Sequence, residues 1–349
     1  ETLTKPSRNN SRMNALCASR NNRPSRTRVQ VETIENHRDS SELALSFFPV
    51  VRRQSLVIKR NISFKMDRID EYFEFALSLV KSAGSLITEH VNGCKVFEKK
   101  SCDIDLVTEI DKKVEQMLIG GLSKQFPEHK FIGEESVADG AKCELTDAPT
   151  WIIDPVDGTL NFIHGFPHCC ISLGLAINKE CVAGIIYNPN IQQLFTAKKG
   201  QGAFLNGRQI HVSQVTELRN ALIAFEVGTS RDEERCKNVF ENFKHIVTKG
   251  HGLRSLGSAA LNMAMVALGG ADANFEFGIH AWDIAAGDIL VREAGGVCLD
   301  PAGGPLDLLS RRVLCASTPE LAQELVKTLV QNIKANKARP RSYLQQISY

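Results

Sequence analysis

Apolar positions along the chain change their spacing in a way that separates helices from strands. From Met66 onward, Ile69, Phe73, Ala76, Val80, Ala83 and Ile87 recur at steps of three or four, which puts them on one helical face. Val114, Leu118 and Leu122 repeat that spacing and predict a second helix over 110–122. Residues 151–153, 170–177 and 182–187 are apolar runs of strand length, the last closed by Asn188-Pro189. Asn206-Gly207 between Leu205 and Arg208 is a hairpin signature. Further helices are predicted over 258–268, stopped by Gly269-Gly270, and over 282–293, with Asp283 in the first turn. A last one over 319–333 has Pro319 at the favoured first position. Helices mixed with hairpins, and no internal repeat, predict an α/β layered fold rather than a bundle or a β-sandwich.

Composition and charge divide the chain. Its 349 residues suffice for a full core, and no apolar run approaches the roughly 18 residues of a membrane span. Ten cysteines without a C-x-x-C pair point to reduced thiols and an intracellular, cytoplasmic location. Residues 1–65 carry thirteen Lys/Arg against five Asp/Glu, a net +8, whereas residues 66–349 carry 29 against 35, a net −6. The first segment is rich in Arg, Ser and Asn with little apolar periodicity, so disorder is expected there. Such a leader fits a nucleic-acid arm, a mitochondrial transit peptide or a segment without function. The expected organisation is a basic leader over 1–65, a catalytic domain over 66–334 and a basic tail over 335–349.

Acidic residues placed against apolar runs supply the candidate chemistry. In WIIDPVDGTLNF (151–162), Asp154 follows a core-forming run, and its burial costs several kcal/mol unless cations or donors compensate. Glu134 follows Phe131-Ile132-Gly133, and Asp283 follows Ala281-Trp282. Each has a plain alternative: Asp157-Gly158 as a turn, Glu134 as a solvated loop residue, Asp283 as a helix cap. Together, Glu134, Asp154, Asp157 and Asp283 lack a matching set of basic residues. That describes a seat for hard, oxygen-loving cations such as Mg²⁺.

Glycine after Asp157 lets the backbone approach a ligand. A helix beginning there would offer free N–H groups to a phosphate, and Thr159 a hydroxyl to orient water. Metal and phosphate together imply phosphoryl transfer.

Asp111 with Lys112, GEES (133–136), DPVDGTLNF (154–162) and WDIAAGDILVREAGG (282–296) resemble the inositol monophosphatase family of metal-dependent, lithium-sensitive phosphatases. The resemblance runs from about Met66 to the final helix and is strongest to the animal members through SCDIDLVTEID, FIGEESVADG, RSLGSAALNM and EFGIHAWD. It implies an αβαβα five-layered sandwich, usually a homodimer, that hydrolyses inositol monophosphates by direct attack of water. It places a first Mg²⁺ on Glu134, Asp154 and the Val156 carbonyl, and a second on Asp154, Asp157 and Asp283. A third, weaker ion would also touch Glu134, and Li⁺ would inhibit. Thr159, backed by Asp111, and Glu134 would activate the water. The Gly158 and Thr159 amides would bind phosphate. Glu276, Asp157, Asp283 and the backbone of Gly257, Ser258 and Ala259 would face the substrate. Lys100 falls in the mobile loop that family members close over the site. Neither a membrane nor nucleic acid is an expected partner.

Other chemistries lack their residues. There is no G-x-S-x-G elbow and no H-E-x-x-H. Gly200 and Gly202 lack the third glycine of a dinucleotide fingerprint. His164 and His168 read as loop or packing residues, Cys169-Cys170 as core, and His280 as either packing or tuning a carboxylate. Two alternatives stay open: a superfamily phosphatase acting on a nucleotide 3′-phosphate or fructose bisphosphate, against which Glu276 argues, and a non-catalytic protein holding nucleic acid with its leader.

Overall fold

The computed structural model describes residues 48–91, 97–100 and 106–331. The chain divides into two units, Glu1–Ile58 and Lys59–Tyr349; the sheets, the cores and the site described below belong to the second. The elements in order are α1 (Phe48–His90), β1 (Phe97–Lys99), β2 (Leu106–Thr108), α2 (Glu109–Gln125), β3 (Lys130–Gly133), α3 (Glu134–Ala138), β4 (Thr150–Asp157) and α4 (Thr159–His164). Next come β5 (Cys170–Ile177), β6 (Glu180–Asn188), β7 (Gln193–Lys198), β8 (Gly202–Leu205), β9 (Arg208–Ile210) and β10 (Leu222–Phe225). The chain continues with α5 (Glu233–Lys249), β11 (Gly252–Arg254), α6 (Ala259–Leu268), β12 (Ala273–Phe277), α7 (Ala281–Glu293), β13 (Val297–Leu299), β14 (Arg312–Ala316) and α8 (Pro319–Thr328).

Two large sheets carry the architecture. A seven-stranded sheet runs β3-β4-β5-β6-β7-β8-β9, parallel only between β3 and β4. A five-stranded sheet runs β11-β10-β12-β14-β13. Side-chain alternation explains the layering. On β4, Trp151 and Ile153 join the core formed with α1 and α2, while Ile152 joins the core formed with α6 and α7. On β12, Ala273 and Phe275 face the core shared with Ile246 of α5 and Leu321 of α8, whereas the partner of Glu276, Val313, faces α6 and α7. The layers are therefore helix, sheet, helix, sheet, helix: an α/β layered fold as the element pattern predicts, and the αβαβα sandwich that the family resemblance implies. A strand buried on both faces reads as one unbroken apolar run, which is why Trp-Ile-Ile carries no alternation.

Glycines bring α7 down onto the seven-stranded sheet. Gly174 and Gly184 are cross-strand partners, and a Cβ on them would meet the Ala285 Cβ at 2.7 Å and the Ala286 carbonyl at 2.8 Å. That close approach sets the height at which α7 presents Asp283.

Boundaries differ from expectation where side chains intervene. Strand β4 continues through Asp154 to Asp157, with a register shift against β5 between the two aspartates. Helix α8 ends at Thr328 rather than 333 because Val330 turns away and exchanges hydrogen bonds with Asn242. Helix α1 begins at Phe48, ahead of the expected start near Met66. The hairpin turn stands as read, with φ of +50° at Asn206 and +79° at Gly207. The remaining features expected of residues 1–47 and 335–349 lie outside the described residues.

Candidate active site

Three carboxylates converge at the end of β4. Asp154 and Asp157 leave the bulged strand end, Asp283 enters from the first turn of α7, and one oxygen of each lies within 4.8 Å of the others. Asp154 and Asp157 are buried, and among the described residues no ion pair reaches any of the three. Burial, then the neighbouring negative charges, pushes Asp154 and Asp283 well above the usual aspartate range. Burial raises Asp157 to about 6 even though Ser258 Oγ donates to its Oδ2 at 2.5 Å and the Ala260 N–H at 2.8 Å. Crowded, desolvated carboxylates without a counter-charge are a donor set that fits Mg²⁺.

The expected capping role of Asp283 is also present. Its Oδ2 accepts the His280 N–H at 2.5 Å, closing a capping box on α7. The other oxygen stays available to the cluster, so capping and ligation are compatible. His280 stacks on Trp282 with ring centroids 4.4 Å apart, and its Nε2 lies 2.9 Å from the Arg311 guanidinium.

Glu134 opens α3 beside the cluster. Lys100 Nζ donates to Glu134 and Glu135, both at 2.7 Å. Burial works to lower the Lys100 pKa, but the two carboxylates outweigh it and hold the ammonium charged. Residues 101–105 of the expected mobile loop lie outside the described residues.

A second group surrounds Thr159. Its Oγ lies 3.1 Å from Asp111 Oδ1 and 3.0 Å from the Val156 carbonyl. Asp111 is buried in the first turn of α2, where the Thr108 N–H and hydroxyl both donate to its Oδ2. Burial raises it to about 6 against those hydrogen bonds. Gly158, the N-cap of α4, has φ +88°, and a Cβ there would sit 3.0 Å from the carbonyls of Gly257 and His168. Only glycine lets the turn pass so close to the 255–258 loop.

The residues expected to face a substrate lie on β12 and at the start of α6. Glu276 is buried on β12, and Asn262 Nδ2 approaches its Oε1 at 3.4 Å. Burial, then Glu226, pushes Glu276 well above the usual range. Ser258 caps α6, and the N–H groups of Ala259 and Ala260 point at Asp157. His164 ends α4, the His168 carbonyl accepts from Asn161, and Cys169 and Cys170 are buried.

Two acids escaped the sequence reading. Glu115 is buried in α2, and its carboxylate accepts the N–H groups of Glu135 and Ser136, both at 2.8 Å, anchoring α3 and hence Glu134. Asp111 and Glu115 stand four apart on an otherwise apolar helix face, and that spacing was the available signal. Glu226 follows the apolar run 222–225, the same pattern that marks Asp154.

Comparisons with known proteins identify the family. The profile of the Inositol monophosphatase family matches residues 68–334. The chain is 46% identical over 264 residues to human Inositol monophosphatase 1, covering 75% of this chain and 95% of that protein. It is 44% identical over 261 residues to rat Inositol monophosphatase 2, covering 74% and 90%. Among solved structures, the inositol monophosphatase from Anabaena superposes with a TM-score of 0.66 at 31% identity, covering 75% of this chain and 96% of that one. The chain belongs to the inositol monophosphatase family.

Proposed function

We propose that this chain is a Mg²⁺-dependent phosphatase that hydrolyses inositol monophosphates to inositol and phosphate by in-line attack of water. The observation that carries the reading is the convergence of Asp154, Asp157 and Asp283 beside the Thr159–Asp111 pair. Glu134, Asp154 and the Val156 carbonyl would hold one ion, and Asp154, Asp157 and Asp283 a second, with Glu134 touching a third. Bound there, Mg²⁺ supplies charge stabilisation to the phosphoryl oxygens and acidifies water.

The chain's own groups divide the remaining work. The Thr159 hydroxyl directs its proton to Asp111, which leaves Oγ lone pairs facing the attacking water. Asp111 is kept in a poised, easily protonated state by burial. Glu134 shares the proton transfer once Lys100 releases it. The first N–H groups of α4, at Gly158 and Thr159, receive the phosphate. Glu276, with Asp157, Asp283 and the Gly257–Ser258–Ala259 segment, accepts and orders ring hydroxyls. A homodimer, cytoplasmic residence, inhibition by Li⁺ and the division into 1–65, 66–334 and 335–349 belong to the same proposal.

The test is phosphate release from inositol 1-phosphate beside a nucleotide 3′-phosphate and fructose bisphosphate. Highest kcat/KM on the inositol ester supports the reading, and preference for either other ester overturns it.

A further inference from the structure

Glu226 stands just past the end of β10 and gathers four donors from one small region. Its Oε1 accepts the N–H groups of Leu256 at 2.8 Å and Gly257 at 2.9 Å and the Asn262 Nδ2 at 2.8 Å. Its Oε2 accepts the Ser255 hydroxyl at 2.9 Å. Hydrogen bonds to a charged acceptor are stronger than neutral ones, and two successive backbone N–H groups on one oxygen fix the peptide planes between them.

The same loop is held from its other side. Asn161 Nδ2 donates to the Leu256 carbonyl at 2.7 Å, the Gly257 carbonyl at 3.3 Å and the His168 carbonyl at 2.8 Å. Gly257 has φ +79°, and a Cβ there would lie 2.9 Å from that Asn161 nitrogen. Glu226 takes the N–H groups of residues 256 and 257, and Asn161 takes their carbonyls. The loop is clamped between them.

Asn262 extends the clamp to the substrate side. Its Nδ2 is shared between Glu226 Oε1 at 2.8 Å and Glu276 Oε1 at 3.4 Å. Asp157, by contrast, is held by Ser258, Ala259 and Ala260 at the start of α6, whose buried side chains anchor it independently. Removing Glu226 thus frees the loop and Asn262 while leaving the metal-facing carboxylates in place.

From this arrangement we infer that Glu226 is a positioning residue for ring-hydroxyl recognition, acting through the 255–257 loop and through Asn262 on Glu276. The inference rests on the inositol monophosphatase reading above. Kinetics with Mg²⁺ would compare Glu226→Ala and Glu226→Gln on inositol 1-phosphate and on phenyl phosphate, which has no ring hydroxyls. Glu226→Ala should raise KM for the inositol ester about tenfold or more, with a several-fold smaller loss on phenyl phosphate and the same half-saturating Mg²⁺. Glu226→Gln, which keeps an oxygen acceptor for the N–H groups, should recover most of the difference. Equal losses on both esters, an unchanged KM, or a shifted Mg²⁺ requirement would overturn the inference. Hydrogen exchange over 255–262 gives a readout independent of substrate. Faster exchange in Glu226→Ala supports the clamp and unchanged exchange refutes it, whereas a wild type inactive on inositol 1-phosphate refutes the functional reading instead.

Discussion

The Thr159 hydroxyl lies 3.1 Å from Asp111 Oδ1, a contact that ties the start of α4 to the first turn of α2 across 48 positions of sequence. One hydroxyl proton cannot serve both Asp111 and the Val156 carbonyl, and in the proposed site, where that carbonyl would face a metal, the proton would go to Asp111. Thr159→Ala should therefore lower kcat by roughly 10²-fold or more while Mg²⁺ affinity, measured by calorimetry, stays unchanged. Asp154→Asn should lose both. A Thr159→Ala protein with weakened Mg²⁺ binding would assign the hydroxyl to the metal site.

The crowded carboxylates also set how pH acts on the metal-free protein. Asp157 is raised to about 6, and Asp154 and Asp283 are raised well above the usual range. Their folded pKa values exceed the unfolded value of about 4, so the folded state binds more protons in between and stability falls as pH rises. The favourable contribution is complete below about pH 4 and is lost progressively as pH rises toward the folded values, so that for Asp157 it is gone once pH has passed about 6. Chelator-treated protein should melt lower at pH 8 than at pH 5.5, as far as this cluster is concerned, and Mg²⁺ should raise Tm more at pH 8. Asp283→Asn should raise the metal-free Tm at pH 8 by about 2–4 °C, the equivalent of about 1 kcal/mol. A Mg²⁺ effect of equal size at both pH values would contradict this electrostatic account.

Sequence alone exposed those elements whose chemistry is written in one short stretch. Asp154 was legible because an acid beside Trp-Ile-Ile conflicts with burial. Asp283 was legible from its helix start. Glu226 carries the same signal after 222–225, but that run is a core strand only within the five-stranded sheet, whose short members have no clear pattern of their own. Strands β11 and β13 are three residues each and become strands only through pairing with β10 and β14. Such context-dependent strands leave little local trace. Glu115 is buried only by the approach of α3, which Gly133 permits and which the pattern of α2 alone does not show.

Helix α7 holds its height through two glycines, and that can be tested without touching any ligand. In Gly184→Val the new side chain would meet the Ala286 carbonyl and Ile289, neither of which can withdraw without moving α7. A loss of about 3 kcal/mol in denaturant unfolding is expected, with activity falling further than stability alone explains. Gly120→Ala is the control. Nothing lies within 4 Å of a Cβ in α2 at that position, so a gain of about 0.5–1 kcal/mol is expected.

Lithium offers a kinetic probe of the same carboxylates. Li⁺ is close to Mg²⁺ in size and prefers oxygen donors, but its single charge makes it a weaker Lewis acid. Seated on Asp154, Asp157 and Asp283 while phosphate remains bound, it would trap the product complex. Inhibition should then deepen as inositol 1-phosphate rises, and Asp283 substitutions that retain turnover should relieve it. Inhibition that excess substrate overcomes would place Li⁺ on the free enzyme.

The most direct measurement is phosphate release from inositol 1-phosphate by chelator-treated protein across a Mg²⁺ series, run in parallel on wild type and Asp154→Asn. Wild type should be inactive without Mg²⁺ and regain turnover with a saturable dependence, and Asp154→Asn should stay inactive throughout. Release that persists after chelation, or an Asp154→Asn protein with the wild-type Mg²⁺ dependence, would contradict a metal site built on the β4 aspartates.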